Sequence, residues 1–467
     1  MNTVMPTGWT IFSIADLGGV SGGKTPSKAN PHFWLSRDVP WVSPKDMKKN
    51  VLNDAADWIS QLAISQAGMT LYPANSVLMV TRSGILQHTF PVALAAVQLT
   101  VNQDIKVFRP AEGVVPKFFF YMLRSFGTDI LSACSKDGTT VQSIDSEKLE
   151  AFPLPLPPLL EQTRIAAKLD ELLAQVDTLK ARIDGIPALL KRFRQSVLAA
   201  AVSGKLTEEW RAKKAPEGTT SPNNDWKTIR IDQACADEKY SLAIGPFGSN
   251  LKVSDYRDDG KPLVFVREIR AGCFGDKKTK FITPEKFDEL SAHQISAGDI
   301  LVTKMGDPPG DVAIYPATAP DAVITADCIK LRVNESVILR EYAYYQMKSN
   351  FFRQKVQEIS AGVAQQKVSL GNFREITLLV PSREEQREIV RHVGELLAFA
   401  DQLEVRVKAA QVRIDGLTQS ILAKAFRGEL VPQDPNDEPA GFLLERIKAQ
   451  RATAPKTKRG RQAATLG

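Results

Sequence analysis

Residues 161–206 read EQTRIAAKLDELLAQVDTLKARIDGIPALLKRFRQSVLAAAVSGKL, and residues 385–430 read EQREIVRHVGELLAFADQLEVRVKAAQVRIDGLTQSILAKAFRGEL. The two segments align without a gap at a shift of 224 and are identical at 17 of 46 positions. Chance does not produce such a match, so the chain contains an internal repeat. Apolar residues in both copies recur at alternating steps of four and three, the period of a coiled-coil seam. The sequence therefore predicts two long helices that pair with each other.

The predicted seam consists of the apolar residues that follow this period. It contains Ile165, Leu169, Leu172, Val176, Leu179 and Ile183 in the first copy, and Ile389, Val393, Leu396, Leu403, Val407 and Ile414 in the second. An isolated seam of this kind is also typical of an ordinary core helix, but here the surrounding sequence is duplicated with it. We expect an aspartate in place of Leu179 or Leu403 to disrupt the helix pair, because it would bury an unpaired charge.

The ends of both helices carry recognisable signals. Ser382 and Glu385 have the spacing of a capping box, in which each side chain bonds the backbone of the other residue. Gly204 and Gly428 suit the left-handed conformation that ends many helices. Pro187 lacks a backbone N–H, so it is expected to kink or split the first helix.

The repeat extends beyond the helices. Gln142 matches Gln366 at 224, and Trp9 matches Trp226 at 217, so small loop insertions account for the drift. The predicted fold class is therefore α+β: two mixed α/β domains, each followed by a long helix, with the two helices paired as an antiparallel coiled coil. The predicted boundaries are 1–155 for the first domain, 156–211 for the first helix, 212–221 for a linker, 222–380 for the second domain, 381–430 for the second helix and 431–467 for a C-terminal segment with a basic tail.

Composition excludes several classes of protein. The chain has 467 residues, of which 43% are hydrophobic, so it can bury real cores and is not globally disordered. Its apolar runs are too short to span a bilayer, no signal pattern opens it, and its four cysteines have no metal-binding spacing. We expect a reduced, cytoplasmic protein. The net charge of +7 comes from the end of the chain, since seven basic and no acidic residues lie from Arg446 onward.

Each motif that suggests catalysis lacks a feature that the catalytic site would require. Residues 18–25 spell a phosphate loop, but two prolines follow within seven residues, where that loop requires a helix. Residues 307–310, DPPG, resemble the tetrad of adenine methyltransferases but lack its aromatic residue. The four histidines are scattered. The sequence predicts no catalytic residues, no metal site and no cofactor held by this chain.

Binding to a nucleic acid is the remaining interpretation. Basic and amide side chains recur in loop-like positions of both domains, where such groups can bond base edges and phosphates. The candidate DNA-binding residues are Lys24, Lys28, Ser43, Lys45, Arg82, Ser83, Gln87 and Gln142 in the first domain, and Lys252, Arg267, Arg270, Lys304, Gln366 and Lys367 in the second.

Four motifs resemble those of one known family. They are LPPLLEQ at 156–162, GGKTPS at 22–27, GPFGSNLK at 245–252 and QSILAKAFRGEL at 419–430. Together with the repeat, they resemble the DNA specificity subunit of type I restriction–modification systems, and the helical segments are most similar to the enterobacterial K-type branch.

The resemblance implies two target-recognition domains that read an asymmetric, bipartite site in double-stranded DNA. It also implies a helix pair that spaces the half-sites and docks two modification (methyltransferase) subunits, with two restriction (translocase and nuclease) subunits joining the complex. S-adenosylmethionine, ATP and Mg²⁺ would be used by those partners, and this chain would catalyse nothing.

Two alternatives stay open at this point. A coiled-coil scaffold or regulator would bind DNA without a methyltransferase, so the tagged chain would capture none. A phosphate-loop enzyme would bind ATP and would lose that binding on the substitution Lys24→Ala.

Overall fold

The computed structural model describes residues 5–136, 141–214, 226–275, 278–306, 308–360 and 366–453. A mixed domain precedes each of two long helices, as the repeat predicts. The first domain has strands β1 (Thr10–Ser13), β2 (Gly18–Gly22), β3 (Val39–Val42), β4 (Val51–Leu52), β5 (Asp57–Ile59), β6 (Val77–Val80), β7 (Val92–Ala95), β8 (Thr100–Val101), β9 (Ile105–Pro110) and β10 (Pro153–Leu156). Its helices are α1 (Ile14–Leu17), α2 (Gln61–Gln66), α3 (Pro116–Ser125), α4 (Gly127–Cys134) and α5 (Ser146–Glu150).

The long helix α6 (Leu159–Val202) and the short α7 (Glu208–Lys214) lead to the second domain. That domain has strands β11 (Lys227–Arg230), β12 (Leu242–Ile244), β13 (Lys261–Val264), β14 (Phe281–Ile282), β15 (Gln294–Ile295), β16 (Ile300–Thr303), β17 (Met305–Gly306), β18 (Val312–Ile314), β19 (Ala322–Ile324), β20 (Cys328–Leu331), β21 (Gln366–Lys367) and β22 (Thr377–Val380). Its helices are α8 (Val266–Ala271), α9 (Pro284–Glu289), α10 (Arg340–Lys348), α11 (Asn350–Glu358) and α12 (Leu370–Arg374). The second long helix α13 (Arg383–Phe426) and the helix α14 (Ala440–Thr453) follow, and α14 ends the described part of the chain.

The first domain is built on a mixed sheet of order β2-β9-β6-β7-β4. Its strand β6 is apolar throughout and buried at every position, as expected for a strand covered on both faces. A smaller sheet has the order β5-β3-β8, and β1 pairs with β10. Residues 18–22 of the segment that spells a phosphate loop form the strand β2, paired antiparallel to β9. Its backbone is therefore part of a sheet and does not form a loop around a phosphate.

The second domain repeats this plan. One sheet has the order β12-β20-β16-β18 and the other β14-β13-β19-β15, while β17 pairs with β21 and β11 with β22. The strand β11 occupies the place of β1, since each joins the start of its domain to the strand just before a long helix. The two domains therefore share the central order of their strands, while the main sheets differ by the edge strand β4 and the smaller sheets by β15.

Contacts divide the chain into two compact units, 1–183 with 410–467, and 184–409. The boundary falls inside both long helices, so each unit contains one domain and half of each helix. In the first unit, Ile165 and Leu169 near the start of α6 share a core with Leu422 near the end of α13. In the second unit, Val197 near the end of α6 shares a core with Ile389 near the start of α13. The helices are thus antiparallel, and the predicted fold class is confirmed.

Burial along the predicted seam is uneven. Ile165, Leu169, Val176, Ile389, Val393 and Val407 are buried, and Leu172, Ile183, Leu396, Leu403 and Ile414 are partly buried. Leu179 is 45% exposed, so an aspartate there would stay in contact with water. This corrects the expectation that the substitution at Leu179 disrupts the pair. A period of 3.5 residues identifies the side of a helix that can pack, whereas the partner decides how deeply each residue is covered.

The helix ends differ in part from their sequence signals. Helix α6 runs without a break through Pro187, so the expected split of this helix is wrong. Pro187 is exposed, and a proline costs least where water can reach the backbone carbonyl that it leaves unbonded. Gly204 and Gly428 both have φ of 75°, which confirms the left-handed ends. The Ser382 hydroxyl accepts a bond from the backbone N–H of Glu385 at 3.3 Å, while the Glu385 side chain binds other groups.

The C-terminal helix α14 was not predicted from the sequence. Its residues Leu443, Leu444 and Ile447 are buried in the core of the first unit. The backbone N–H of Ala440 donates to the carbonyl of Gly8 at 2.9 Å, which ties this helix to the start of the chain. Residues 454–467 of the predicted tail and 215–221 of the predicted linker lie outside the described residues, and linker residues 212–214 belong to α7. Across the described part of the chain, no helix is both apolar enough and long enough to cross a bilayer.

Candidate nucleic-acid interface

Five loop segments of the first domain converge at one edge of its sheets. Strands β2 and β6 flank β9 and are both antiparallel to it, so their carboxyl ends lie where β9 begins. Strands β3 and β8 are parallel, so their carboxyl ends also lie together. We call the residues at this edge, 23–28, 43–46, 81–87, 102–104 and 142–143, the first loop cluster.

Backbone hydrogen bonds join these loops into one surface. The bonds run from Lys24 N to Val101 O (3.1 Å), from Asn102 N to Val42 O (2.9 Å), from Thr81 N to Asp104 O (2.8 Å) and from Ser83 N to Gln142 O (3.0 Å). Residues far apart in the sequence are thereby held at fixed relative positions. A rigid edge of this kind is suited to presenting side chains to a ligand of regular shape.

At Gly23 the backbone of one loop passes close to the carbonyl group of Val101. A Cβ atom at this position would lie 1.8 Å from the carbonyl oxygen of Val101, so no other residue fits without a shift of backbone. The next residue, Lys24, is exposed, and its carbonyl accepts a bond from Trp41 Nε1 at 3.0 Å. The glycine therefore serves to hold the following lysine at the edge.

Arg82 has an oriented guanidinium group. Its Nε donates to Oδ1 of Asp104 at 2.6 Å, and Asn102 Nδ2 donates to the other carboxylate oxygen at 2.9 Å. The arginine side chain is 55% exposed. A guanidinium held by a carboxylate on one side can present its remaining N–H groups to a second acceptor.

The second domain has the same convergence of strand ends. Strands β12 and β16 flank β20 and are antiparallel to it, and β13 is parallel to β19. A Cβ atom on Gly245 would lie 2.0 Å from the carbonyl oxygen of Thr325, which repeats the approach of Gly23 to Val101. We call residues 245–252, 265–270, 304–306, 308–311, 325–327 and 366–367 the second loop cluster.

A charged group in the second loop cluster contains an arginine that sequence reasoning missed. Asp311 accepts from Arg270 Nε at 2.9 Å and from Arg353 Nη2 at 2.5 Å. Two guanidinium groups thus share one carboxylate, and the group is cationic overall. Arg353 lies in α11, distant in sequence from Arg270 and Asp311, and no motif marks it.

The predicted site residues of the first domain differ in their surroundings. Lys24, Lys28 and Gln87 are exposed. Lys45 is paired with Asp57 at 2.7 Å, and this hydrogen bond raises the lysine pKa. Ser43 is buried and its hydroxyl donates to Asp46 at 3.1 Å, so it shapes its loop. Ser83 and Gln142 are partly buried at the bridge between their two loops.

The predicted residues of the second domain also divide into exposed and engaged groups. Lys252 and Lys367 are exposed. Arg267 donates to the carbonyl of Lys278 at 2.7 Å and lies over the ring of Phe265. Lys304 and Gln366 are partly buried, on adjoining segments joined by the bridge of β17 to β21. The described parts of the chain contain no group of three or more His, Cys, Asp or Glu residues that could hold a metal ion.

Each domain is attached to the start of its long helix by the same pair of residue types. Trp9 Nε1 donates to Oε2 of Glu161 at 3.0 Å, and Trp226 Nε1 donates to Oε2 of Glu385 at 3.0 Å. The neighbouring glutamine repeats too, since Gln162 and Gln386 each donate to the proline carbonyl five residues earlier at 3.0 Å.

The two glutamates nevertheless have different neighbours. Glu385 also accepts from Thr207 Oγ1 at 2.7 Å and from the guanidinium of Arg211. Among the described residues, Oε1 of Glu161 has no hydrogen-bond partner, and the nearby Arg164 binds Asp437 at 2.5 Å. Burial raises the pKa of Glu161 above its usual value, although the bond from Trp9 opposes this shift.

The fold and the two loop clusters define a class of protein: a chain that carries two related recognition domains on an antiparallel helix pair. It matches the family model described as type I restriction modification DNA specificity domain over residues 6–188 and 248–410. The chain therefore belongs to the family of type I restriction–modification specificity subunits, which confirms the resemblance noted in the sequence.

Curated relatives cover nearly the whole chain. The EcoKI specificity subunit of Escherichia coli K12 is 33% identical over 473 aligned residues, which span 96% of this chain and 97% of the relative. The EcoBI specificity subunit of Escherichia coli is 35% identical over 89% of this chain and 87% of the relative. Among solved structures, the HsdS subunit from Thermoanaerobacter tengcongensis covers 91% of this chain and 98% of its own, with a TM-score of 0.57 and 19% identity. The overall fold is thus shared.

Proposed function

We propose that this specificity subunit reads an asymmetric, bipartite site in double-stranded DNA. Residues 1–155 would read one half and residues 222–380 the other. The observation that carries the proposal is the pair of loop clusters, which occupy equivalent strand ends but present different side chains. Equivalent geometry allows both domains to approach DNA in the same way, and different side chains allow them to read different bases.

The helix pair is the proposed docking surface for two modification subunits. Large apolar side chains are exposed along both helices in each unit: Leu179, Val412 and Leu417 in the first, and Leu189, Phe399 and Val405 in the second. Large apolar side chains exposed on a long helix are available to pack against a partner. Two restriction subunits would then join through the assembled complex.

Catalysis is proposed to reside in those partners. Methyl transfer from S-adenosylmethionine to adenine would belong to the modification subunits, and ATP- and Mg²⁺-dependent translocation and cleavage to the restriction subunits. This chain would contribute DNA recognition, in the cytoplasm, where the DNA lies.

An exchange of recognition domains tests the proposal. The chain, expressed with its modification subunit, is expected to direct methylation of one bipartite sequence, which sequencing of the methylated genome would identify. Replacing residues 1–155 by the corresponding domain of another specificity subunit should change one half of that sequence. A change in both halves would contradict the assignment of one domain to one half-site.

Capture experiments distinguish the alternatives. A tagged chain that binds DNA but captures no methyltransferase would indicate a scaffold or regulator. The segment before Lys24 is the paired strand β2 and not a phosphate loop. We therefore expect the wild-type chain and the Lys24→Ala variant to show the same lack of ATP binding.

A further inference from the structure

Two arginines of the second domain are joined through one carboxylate in the second loop cluster. Asp311 accepts from Arg270 Nε at 2.9 Å and from Arg353 Nη2 at 2.5 Å. The side chains of Arg270 and Arg353 are 51% and 41% exposed, whereas that of Asp311 is 18% exposed. The carboxylate is thus enclosed between two guanidinium groups that both reach water. We call these three residues the diarginine group.

Backbone contacts fix the carboxylate of this group. The N–H of Asp311 donates to Thr303 Oγ1 at 2.9 Å, and its carbonyl accepts from the N–H of Thr303 at 2.9 Å. A Cβ atom on Gly310 would lie 3.0 Å from Cγ1 of Val356, so helix α11, which carries Arg353, packs directly against this loop. The position of Asp311 relative to both arginines is therefore set before any ligand arrives.

Arg270 is oriented by two contacts. Because its Nε is bound to Asp311, the end formed by Nη1 and Nη2 is the part that can donate to a second acceptor. A Cβ atom on Gly306 would lie 2.8 Å from Nη2, so this end lies beside the backbone of β17. Strand β17 pairs with β21 within the same loop cluster. A guanidinium held in this way has little rotamer freedom to lose on binding.

The sequence of the first domain has other residues in place of the diarginine group. At the shift of 224, Arg353 of α11 corresponds to Asp129 of α4, whose charge is opposite. The segment that follows β6, residues 82–91, contains no aspartate or glutamate to replace Asp311. Contacts to phosphates carry no sequence information, so they are expected in both domains, whereas groups that read bases are expected to differ between domains that read different half-sites.

We propose that the diarginine group reads a guanine in the half-site of the second domain. This inference rests on the proposed function. Guanine presents the acceptors O6 and N7 side by side in the major groove, and the N–H groups of one arginine can bond both. Arg270 donates to these two atoms, while Asp311 and Arg353 position it. Asp311 also cancels one of the two positive charges, which weakens attraction to a phosphate but not hydrogen bonding to an uncharged base edge.

7-Deazaguanine provides the test, because a carbon atom replaces only the N7 acceptor of guanine. The half-site that stays unchanged when residues 1–155 are exchanged belongs to the second domain, and its guanines would be replaced singly. Binding would be measured for the complex with its modification subunit. One replacement should weaken binding by the wild-type complex about tenfold, the loss of one hydrogen bond from a charged donor. The Arg270→Ala complex should bind that duplex and the guanine duplex equally.

Variants of the other two members separate positioning from contact. Asp311→Asn and Arg353→Gln should both reduce the dependence on N7, because Arg270 loses its fixed orientation. Neither should weaken binding to a duplex without the recognised sequence, which a loss of folded structure would do. Arg230, which pairs with Asp232 at 2.8 Å outside both loop clusters, provides the matched control. The Arg230→Ala complex should keep the full dependence on N7.

Three results would overturn the inference: a second half-site with no guanine on either strand, no effect of any single 7-deazaguanine, or an effect that persists in Arg270→Ala. A diarginine group that binds a phosphate would give the second of these results, together with weaker binding of Arg270→Ala to every duplex. Failure of the proposed function would show differently, as a complex that selects no bipartite duplex at all, and it would overturn the inference as well.

Discussion

At the scale of single residues, duplication has produced equivalent positions with different chemistry. Glu161 and Glu385 both accept a bond from a tryptophan at the start of their domain. Glu385 is paired with the guanidinium of Arg211, whereas Glu161 has no such cation and keeps one oxygen unbonded among the described residues. The attachment of the first domain is therefore expected to depend on pH.

The substitution Glu161→Gln should stabilise the first unit at neutral pH. Because burial raises the pKa of Glu161, the folded chain holds this proton more tightly than the unfolded chain, whose value is near 4.5. Stability is then lost as the pH rises from that value through the raised pKa. The glutamine keeps the bond from Trp9 and carries no charge, so the loss should disappear. Thermal unfolding between pH 4 and pH 8 would measure it.

The matched control is Glu385→Gln. This change leaves the largely buried Arg211 without its carboxylate, and removal of one partner of such a pair costs about 3 kcal/mol. At neutral pH, Glu161→Gln is therefore expected to raise the free energy of unfolding and Glu385→Gln to lower it. A destabilised Glu161→Gln chain at pH 8 would contradict this account.

Arg82 is expected to act in recognition by the first domain. If its guanidinium reaches a base, Arg82→Ala should weaken binding at one half-site by about 1–3 kcal/mol. Asp104→Ala should weaken the same half-site, because Asp104 orients this side chain. Arg230, an exposed arginine paired with Asp232 on β11, is a control outside both loop clusters. Footprints at varied protein concentration would show the effect, and an unchanged affinity for Arg82→Ala would contradict a base contact.

At the scale of elements, burial along the two long helices is uneven. The ends of α6 and α13 share cores with the recognition domains, so their side chains are covered from several directions. Leu179 and Val412 in the middle are exposed. A coiled-coil period therefore predicts which side of each helix faces its partner, while the depth of burial follows from what else packs there.

Aspartate substitutions along one helix should separate these two situations. Leu169 is 0% exposed, so Leu169→Asp should destabilise the first unit by about 3 kcal/mol or more through a buried, unpaired charge. Leu179→Asp should cost less than about 1 kcal/mol in the isolated chain. Urea unfolding of both variants tests the contrast, and equal losses of stability would show that Leu179 is buried in solution.

At the scale of the whole molecule, charge and chain ends have separate roles. Helix α14, the last described element, contributes to the fold of the first unit because its apolar residues pack in that core. Arg451 of this helix also donates to the carbonyl of Gly18, at the start of β2, at 3.0 Å. The basic residues beyond it, Lys456, Lys458, Arg459 and Arg461, supply part of the net charge of +7. We expect them to add non-specific attraction to phosphates.

Truncation after Thr453 tests this expectation. Each phosphate that the four basic residues neutralise adds about 0.9 to the slope of log affinity against log salt, so truncation should make this slope shallower. Affinity measured between about 50 and 200 mM salt would give the slope, and a duplex without the recognised sequence provides the comparison. The methylated sequence should stay the same. A changed sequence would show that the tail takes part in base recognition.

The sequence by itself determined the repeat, the two long helices, their left-handed ends and the family. Strands such as Val77–Val80 and Ile300–Thr303 consist of short runs of apolar or β-branched residues. These features are local, because a hydrophobic period, a turn residue or an apolar run can be recognised within a short stretch of sequence.

Only the tertiary structure decided which loops meet, that Arg353 joins Arg270 at Asp311, that α14 packs with the first domain, and that Leu179 is exposed. Each of these depends on pairing between strands or helices far apart in the chain, and the residues that result as neighbours have no fixed spacing. Hydrophobic periodicity predicts which face of a helix or strand will be buried. Which residues cover that face is decided only when segments distant in the sequence pack together.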